Sequence, residues 1–156
     1  MTPQTSKSTT QPDLVVQRLF DAPRERVWKA WTTPALLVRW FSPAGCSMEN
    51  PSFDVREGGA YACDYRMTDG SIARMRGVYE HLTPPERMIF THGWADENGV
   101  VDHYPRVTVI FEAVGERTRV TVRQTGLADR ETFDSHGEGW SEALGHLAVL
   151  LDAERH

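Results

Sequence analysis

The stretch that most restricts what this chain can become spans residues 135–154, SHGEGWSEALGHLAVLLDAE. Trp140, Leu144, Leu147 and Leu151 recur at i, i+4, i+7 and i+11, which sets them on one narrow face of a helix. Ala143, Ala148 and Leu150 widen that stripe, while Glu138, Glu142 and Gly145 fall opposite. Ser135 followed by Glu138 reads as a capping box and predicts a helix that starts there. Glu138 and Glu142 lie near the positive end of its dipole and Arg155 at the negative end. A helix this one-sided must cover an apolar surface, and most of the preceding chain reads as strands.

The 156 residues are 40% hydrophobic and 25% charged, which fits one globular domain with a substantial core. Residues 1–12 are Ser/Thr/Gln-rich and are expected to form a disordered tail, leaving residues 13–156 as the domain. A net charge of −5 speaks against a nucleic-acid partner, which favours a basic face. No apolar run approaches the ~20 residues that a membrane span requires, and no secretory h-region opens the chain. The expectation is a cytoplasmic protein without membrane insertion. Cys46 and Cys63 supply neither a disulfide framework nor a metal-ligand spacing, and no cofactor motif is present.

In chain order, residues 13–20 form a β-branched, apolar strand pattern that stops at Asp21-Ala22-Pro23. Pro23 suits a first helical turn, and Val27, Trp28 and Trp31 share the face that follows. Thr33 and Pro34 restart a helix as cap and first residue, with Leu37, Trp40 and Phe41 on its apolar side. From residue 47 to 124 strands alternate with turns. Tyr61, Cys63, Tyr65 and Met67 alternate with polar residues, Asp69-Gly70 marks a tight hairpin, and residues 87–94 place Met88, Phe90, His92 and Trp94 on one face. Val107, Val109 and Phe111, then Val120 and Val122, continue the alternation. Strands bounded by helices without βαβ alternation predict an α+β fold with an antiparallel sheet of about six or seven strands.

Few residues carry a chemical signature. Gly58-Gly59 lacks the Lys/Ser partner and following helix of a phosphate loop, so it reads as a bend beside an Asp54–Arg56 network. None of His81, His92, His103, His136, His146 and His156 falls in a metal-binding spacing. His92 shares the inward face of Phe90 and Trp94, where it is either a hydrogen-bonded core histidine or a general base. Cys63, alternating with tyrosines, reads as a small apolar filler, and no serine-hydrolase elbow occurs. The aromatic set Trp40, Tyr61, Tyr65, Phe90, Trp94, Tyr104 and Trp140 either fills core or lines a pocket between sheet and helix. Gly137 and Gly139 each cost ~1 kcal/mol relative to alanine in a helix interior, which points either to a close backbone approach or an adjustable entrance, or to simple fraying of the first turn.

The segments Arg18-Leu19-Phe20-Asp21-Ala22-Pro23 and Val27-Trp28-Lys29-Ala30-Trp31-Thr32 resemble the opening of a helix-grip domain of the START/SRPBCC superfamily. Trp40-Phe41-Ser42-Pro43, Asp54-Val55-Arg56-Glu57-Gly58-Gly59 and Gly77-Val78-Tyr79-Glu80 continue the likeness. So do Pro84-Pro85-Glu86-Arg87-Met88, Thr118-Arg119-Val120-Thr121-Val122 and Gly137-Glu138-Gly139-Trp140. Their order and spacing are similar to the bacterial branch named after the activator of heat-shock-protein-90 ATPase, from residue 13 onward. The resemblance implies a curved antiparallel sheet gripping a long C-terminal helix, the helix-grip fold, often around an internal cavity. Superfamily members bind lipids, hormones or polyketides, and some catalyse cyclisation or hydrolysis, so the resemblance alone does not select a function.

The expectation is therefore binding of a small hydrophobic or aromatic molecule by Trp40, Tyr61, Tyr65, Phe90, His92, Trp94, Tyr104, Trp140 and Leu144, with no catalytic or metal-binding residue. One alternative is a cyclase or hydrolase using Tyr65, His92 or Tyr104 as acid–base groups. Another is a chaperone partner bound through the convex sheet or Val149. A homodimer stays open.

Overall fold

The computed structural model describes residues 12–42, 44–101, 105–127 and 129–154. Residues 1–11 of the expected tail and Arg155 therefore lie outside the described residues, as do His103, Tyr104 and His156. The elements are β1 (Leu14–Phe20), α1 (Arg24–Thr32), α2 (Pro34–Trp40), β2 (Ser47–Phe53), β3 (Ala60–Arg66), β4 (Ile72–Thr83), β5 (Arg87–Thr91), β6 (Gly93–Ala95), β7 (Arg106–Val114), β8 (Arg117–Gln124) and α3 (Arg130–Glu154). The sheet is antiparallel in the order β1-β8-β7-β5-β4-β3-β2, with β6 paired to β4 off that path. This is the α+β architecture anticipated above. No described helix is long and apolar enough to cross a membrane.

The sheet curls into a half-barrel around α3. Two irregularities help bend it. The β2–β3 register shifts between Glu49 and Ser52, where Asn50 adopts φ 51, and the β4–β5 register shifts between Tyr79 and His81. The inner face collects Tyr61, Cys63 and Tyr65 of β3, Met75 and Tyr79 of β4, Met88 and Phe90 of β5, and the alternating apolar residues of β7 and β8. All are buried against Trp140, Leu144, Leu147 and Leu151, the stripe that the helical period singled out. Trp31 and Trp40 of α1 and α2 plug one end, with ring centroids 4.7 Å apart.

Two local expectations are corrected and a third is refined. α3 begins at Arg130, because Asp129 Oδ1 accepts the Thr132 N–H at 2.8 Å and so caps the helix. Ser135 and Glu138 lie inside the helix rather than forming a capping box. Thr33 is the N-cap of α2 and Pro34 its first residue, as expected; the cap acts through the Thr33 carbonyl, which accepts from the N–H groups of Leu36 and Leu37, without a side-chain bond. The run from 87 to 94 is broken at His92. Its N–H donates to the Pro105 carbonyl at 2.9 Å, and beyond it β6 leaves β7's neighbourhood to pair with Arg74–Arg76 of β4.

The Gly58-Gly59 reading survives. Gly58 sits at φ +85, a Cβ on Gly59 would collide with the Asp54 carbonyl, and the Arg56 guanidinium lies 2.9 Å from the Asp54 carboxylate.

Candidate functional site

At the break in the sheet, β3, β4 and β6 face the first turns of α3 across a cleft of about 120 Å³. Phe41, Ser42, Tyr65, Met67, Met75, His92, Trp94, Ser135, His136, Gly139, Trp140 and Ala143 line it. The cleft opens beside Trp94, 37% exposed, and Ser135. None of these lining residues carries a permanent charge. The lining comes from the inward phase of β3 and β4, the His92 break, and the helix face one and two turns before Leu144.

Of the residues expected to bind a ligand, Tyr65, His92, Trp94 and Trp140 meet at this cleft. Trp40, Tyr61, Phe90 and Leu144 lie behind it in the packed core: the Trp40 indole donates to the Ala30 carbonyl at 3.0 Å, and Leu144 is buried on the α3 stripe. Tyr104 lies outside the described residues. Trp94 is at the rim, not on the buried face shared by Phe90 and His92.

His136 lines the cleft and Gln124 bonds to it and to Trp140, although the sequence reading assigned neither a binding role. Both were accessible to it: His136 stands four residues before Trp140 on the same helical face, and Gln124 continues the inward phase of Val120 and Val122. Met67 was already assigned to the face of Tyr65, and Met75 is paired with Cys63 across the Asp69-Gly70 hairpin.

The hydrogen-bond network fixes the protonation of these groups. An indole can only donate. The Trp94 Nε1–H donates to His136 Nε2 at 3.0 Å, so the His136 proton resides on Nδ1, which donates to Gln124 Oε1 at 3.0 Å. The Trp140 Nε1–H donates to the same oxygen at 3.0 Å, which orients the Gln124 amide. A second chain runs through the sheet. The Tyr61 hydroxyl donates to the Thr91 carbonyl at 2.8 Å, so its 2.9 Å contact with His92 must be a bond donated by His92 Nδ1–H. Gly77 makes this reach feasible, because a Cβ there would collide with the Thr91 carbonyl and the Tyr61 ring.

Burial keeps the whole site neutral. It pushes His92 down to about 3, with His136 adding to the effect, and it also depresses His136. Tyr61 and Tyr65 are raised well above the usual phenol range, chiefly by burial, and the Cys63 thiol is raised to about 11 for the same reason. A histidine this weakly basic accepts a hydrogen bond but is a poor proton acceptor near neutrality, and Cys63 has no thiolate character there. Among the described residues no cluster of three or more His, Cys, Asp or Glu side chains assembles a metal cage.

A curled antiparallel sheet closed by a long C-terminal helix, with two short helices after the first strand, is the helix-grip type of fold. The model of the family described as activator of Hsp90 ATPase homolog 1-like protein matches residues 21–152, and the chain belongs to that family. A crystal structure of an AHSA1 protein from Silicibacter pomeroyi is similar at 27% identity, covering 92% of this chain and 99% of that one, with a TM-score of 0.84. A solution structure of a protein from Arthrobacter aurescens is also 27% identical, covers 90% and 86% of the two chains, and gives 0.81. A third similar structure, from Chromobacterium violaceum, is 27% identical over 88% and 95% of the two chains, with 0.80. Comparison with curated proteins gives no match.

Proposed function

We propose that the protein binds a small, predominantly apolar molecule in the cleft between the broken sheet edge and the start of α3. The observation that carries this reading is the lining itself. Phe41, Tyr65, Met67, Met75, Trp94 and Trp140 supply apolar surface around a few fixed polar groups, with no counter-charge among them. A cleft of about 120 Å³ is smaller than the 300–1,000 Å³ typical of drug-sized sites, which favours a compact ligand over a lipid or an extended polyketide. The weak basicity of His92 favours binding over general-base chemistry.

Native mass spectrometry of the purified protein, followed by titration with an apolar fluorescent probe, tests the reading. Saturable probe binding that weakens in Trp140→Ala while the variant stays folded is the expected result. A ligand-free protein that binds no probe contradicts the proposal.

A further inference from the structure

The polar groups around the cleft are not evenly divided between donors and acceptors, and this inference rests on the cleft being a ligand site. Both indole N–H groups are engaged, Trp94 with His136 and Trp140 with Gln124. The His136 Nδ1 proton is donated to Gln124 Oε1, and the Tyr65 hydroxyl donates to the Phe41 carbonyl at 2.6 Å, which leaves its oxygen able to accept. The Ser42 and Ser135 hydroxyls can donate or accept, so they select neither.

His92 supplies a second fixed acceptor, and the only one of the two on a ring nitrogen. It is 6% exposed, and its Nδ1 proton is held by Tyr61, whose own proton is committed to Thr91. Nε2 therefore carries a lone pair and has no protein partner among the described residues. The walled-in unpartnered side-chain atoms among those residues are Trp31 Nε1 and Gln124 Nε2. His92 itself lines the cleft, and Nε2 lies on the side of its ring away from Tyr61. Among the described residues the fixed polar groups of the lining thus leave acceptors open, His92 Nε2 and the Tyr65 oxygen, and every N–H or O–H they carry is already committed.

We propose that the cleft selects neutral single-ring aromatic molecules bearing a hydrogen-bond donor, of which phenols are the simplest, with that donor on His92 Nε2 and the ring among Tyr65, Met75, Trp94 and Trp140. Size supports one ring: a dry cavity of about 150 Å³ accommodates benzene, and this cleft of about 120 Å³ is open at one side. Charge supports neutrality, because a carboxylate or ammonium taken from water would find no opposite charge on the lining. The depressed basicity of His92 keeps Nε2 an acceptor throughout the physiological pH range.

Calorimetric titration with phenol, anisole, benzoate and benzylamine tests the selection. Phenol and anisole present the same ring, but anisole has no donor and leaves Nε2 desolvated and unpaired. Phenol is expected to bind about tenfold or more tightly. The ¹⁵N resonance of His92 Nε2 is expected to move on adding phenol and to stay in place with anisole. In His92→Phe the preference for phenol should vanish; the wild-type resonance decides the matter should that variant fail to fold.

Anisole binding as tightly as phenol, or benzoate or benzylamine binding tightest, overturns the selectivity and leaves the cleft as a ligand site. Failure of all four to bind at millimolar concentration removes the ligand site and the selectivity with it.

Discussion

The protonation of His92 should write itself into the stability of the whole domain. In the unfolded chain this imidazole titrates near its ordinary value of 6.5, whereas in the fold it titrates at about 3. Between those values the unfolded chain binds a proton that the native state refuses, so acid pulls the equilibrium towards unfolding. The contribution is fully favourable above 6.5 and declines by about 1.4 kcal/mol per pH unit below it. Lowering the pH from about 7.5 to about 5 should thus remove about 2 kcal/mol through this residue alone. His136 is shifted in the same direction and adds to the loss, and the carboxylates contribute their own dependence. The His92→Gln variant isolates the effect. Urea unfolding of both proteins at the two pH values should show the wild type losing about 2 kcal/mol more than the variant. Parallel losses would refute the claim that His92 is held neutral by burial.

Two further perturbations probe the helix and its hydrogen-bonded start. Leu147, fully buried on the α3 stripe, should cost about 2–5 kcal/mol when replaced by alanine, read from urea unfolding; a loss below about 1 kcal/mol would mean that the helix is not seated on the sheet as described. Gln124→Leu takes the acceptor from Trp140 and His136 but also removes the unpartnered amide nitrogen. These opposing effects should leave a net destabilisation of about 1 kcal/mol, while the Trp140 indole proton moves upfield in the NMR spectrum. An unmoved indole proton would show that Gln124 is not its partner.

The elements that alternate or spiral strongly were legible in the chain. β3 could be read from Tyr61, Cys63 and Tyr65, and α3 from its leucines, because burial imposes a strict period on both. The true start of α3 was obscured by the polar run Arg130-Glu131-Thr132. Even so, Phe133 lies seven residues before Trp140 and extends the stripe back by two turns. The break at His92 was not legible, because it depends on Pro105, thirteen residues away, offering a carbonyl where the sheet curls. The candidate site was legible in type but not in membership. Periodicity places Tyr61, Phe90 and Tyr65 on the same inner face, and only three-dimensional filling decides that the first two are walled in while the third borders open space.

One bare backbone position governs the chemical polarity of that space. Gly77 carries no side chain, so the Tyr61 ring can lie across it and hand its proton to Thr91. That placement obliges His92 to donate from one nitrogen and present a lone pair from the other. With a methyl group at position 77, Tyr61 would be displaced from Thr91, and its proton could pass to His92 Nδ1. The imidazole would then offer an N–H to the cleft. The hydrogen-bonding polarity of the cleft would then reverse from accepting to donating while every residue lining it stayed the same, set by a position behind the wall and not in it.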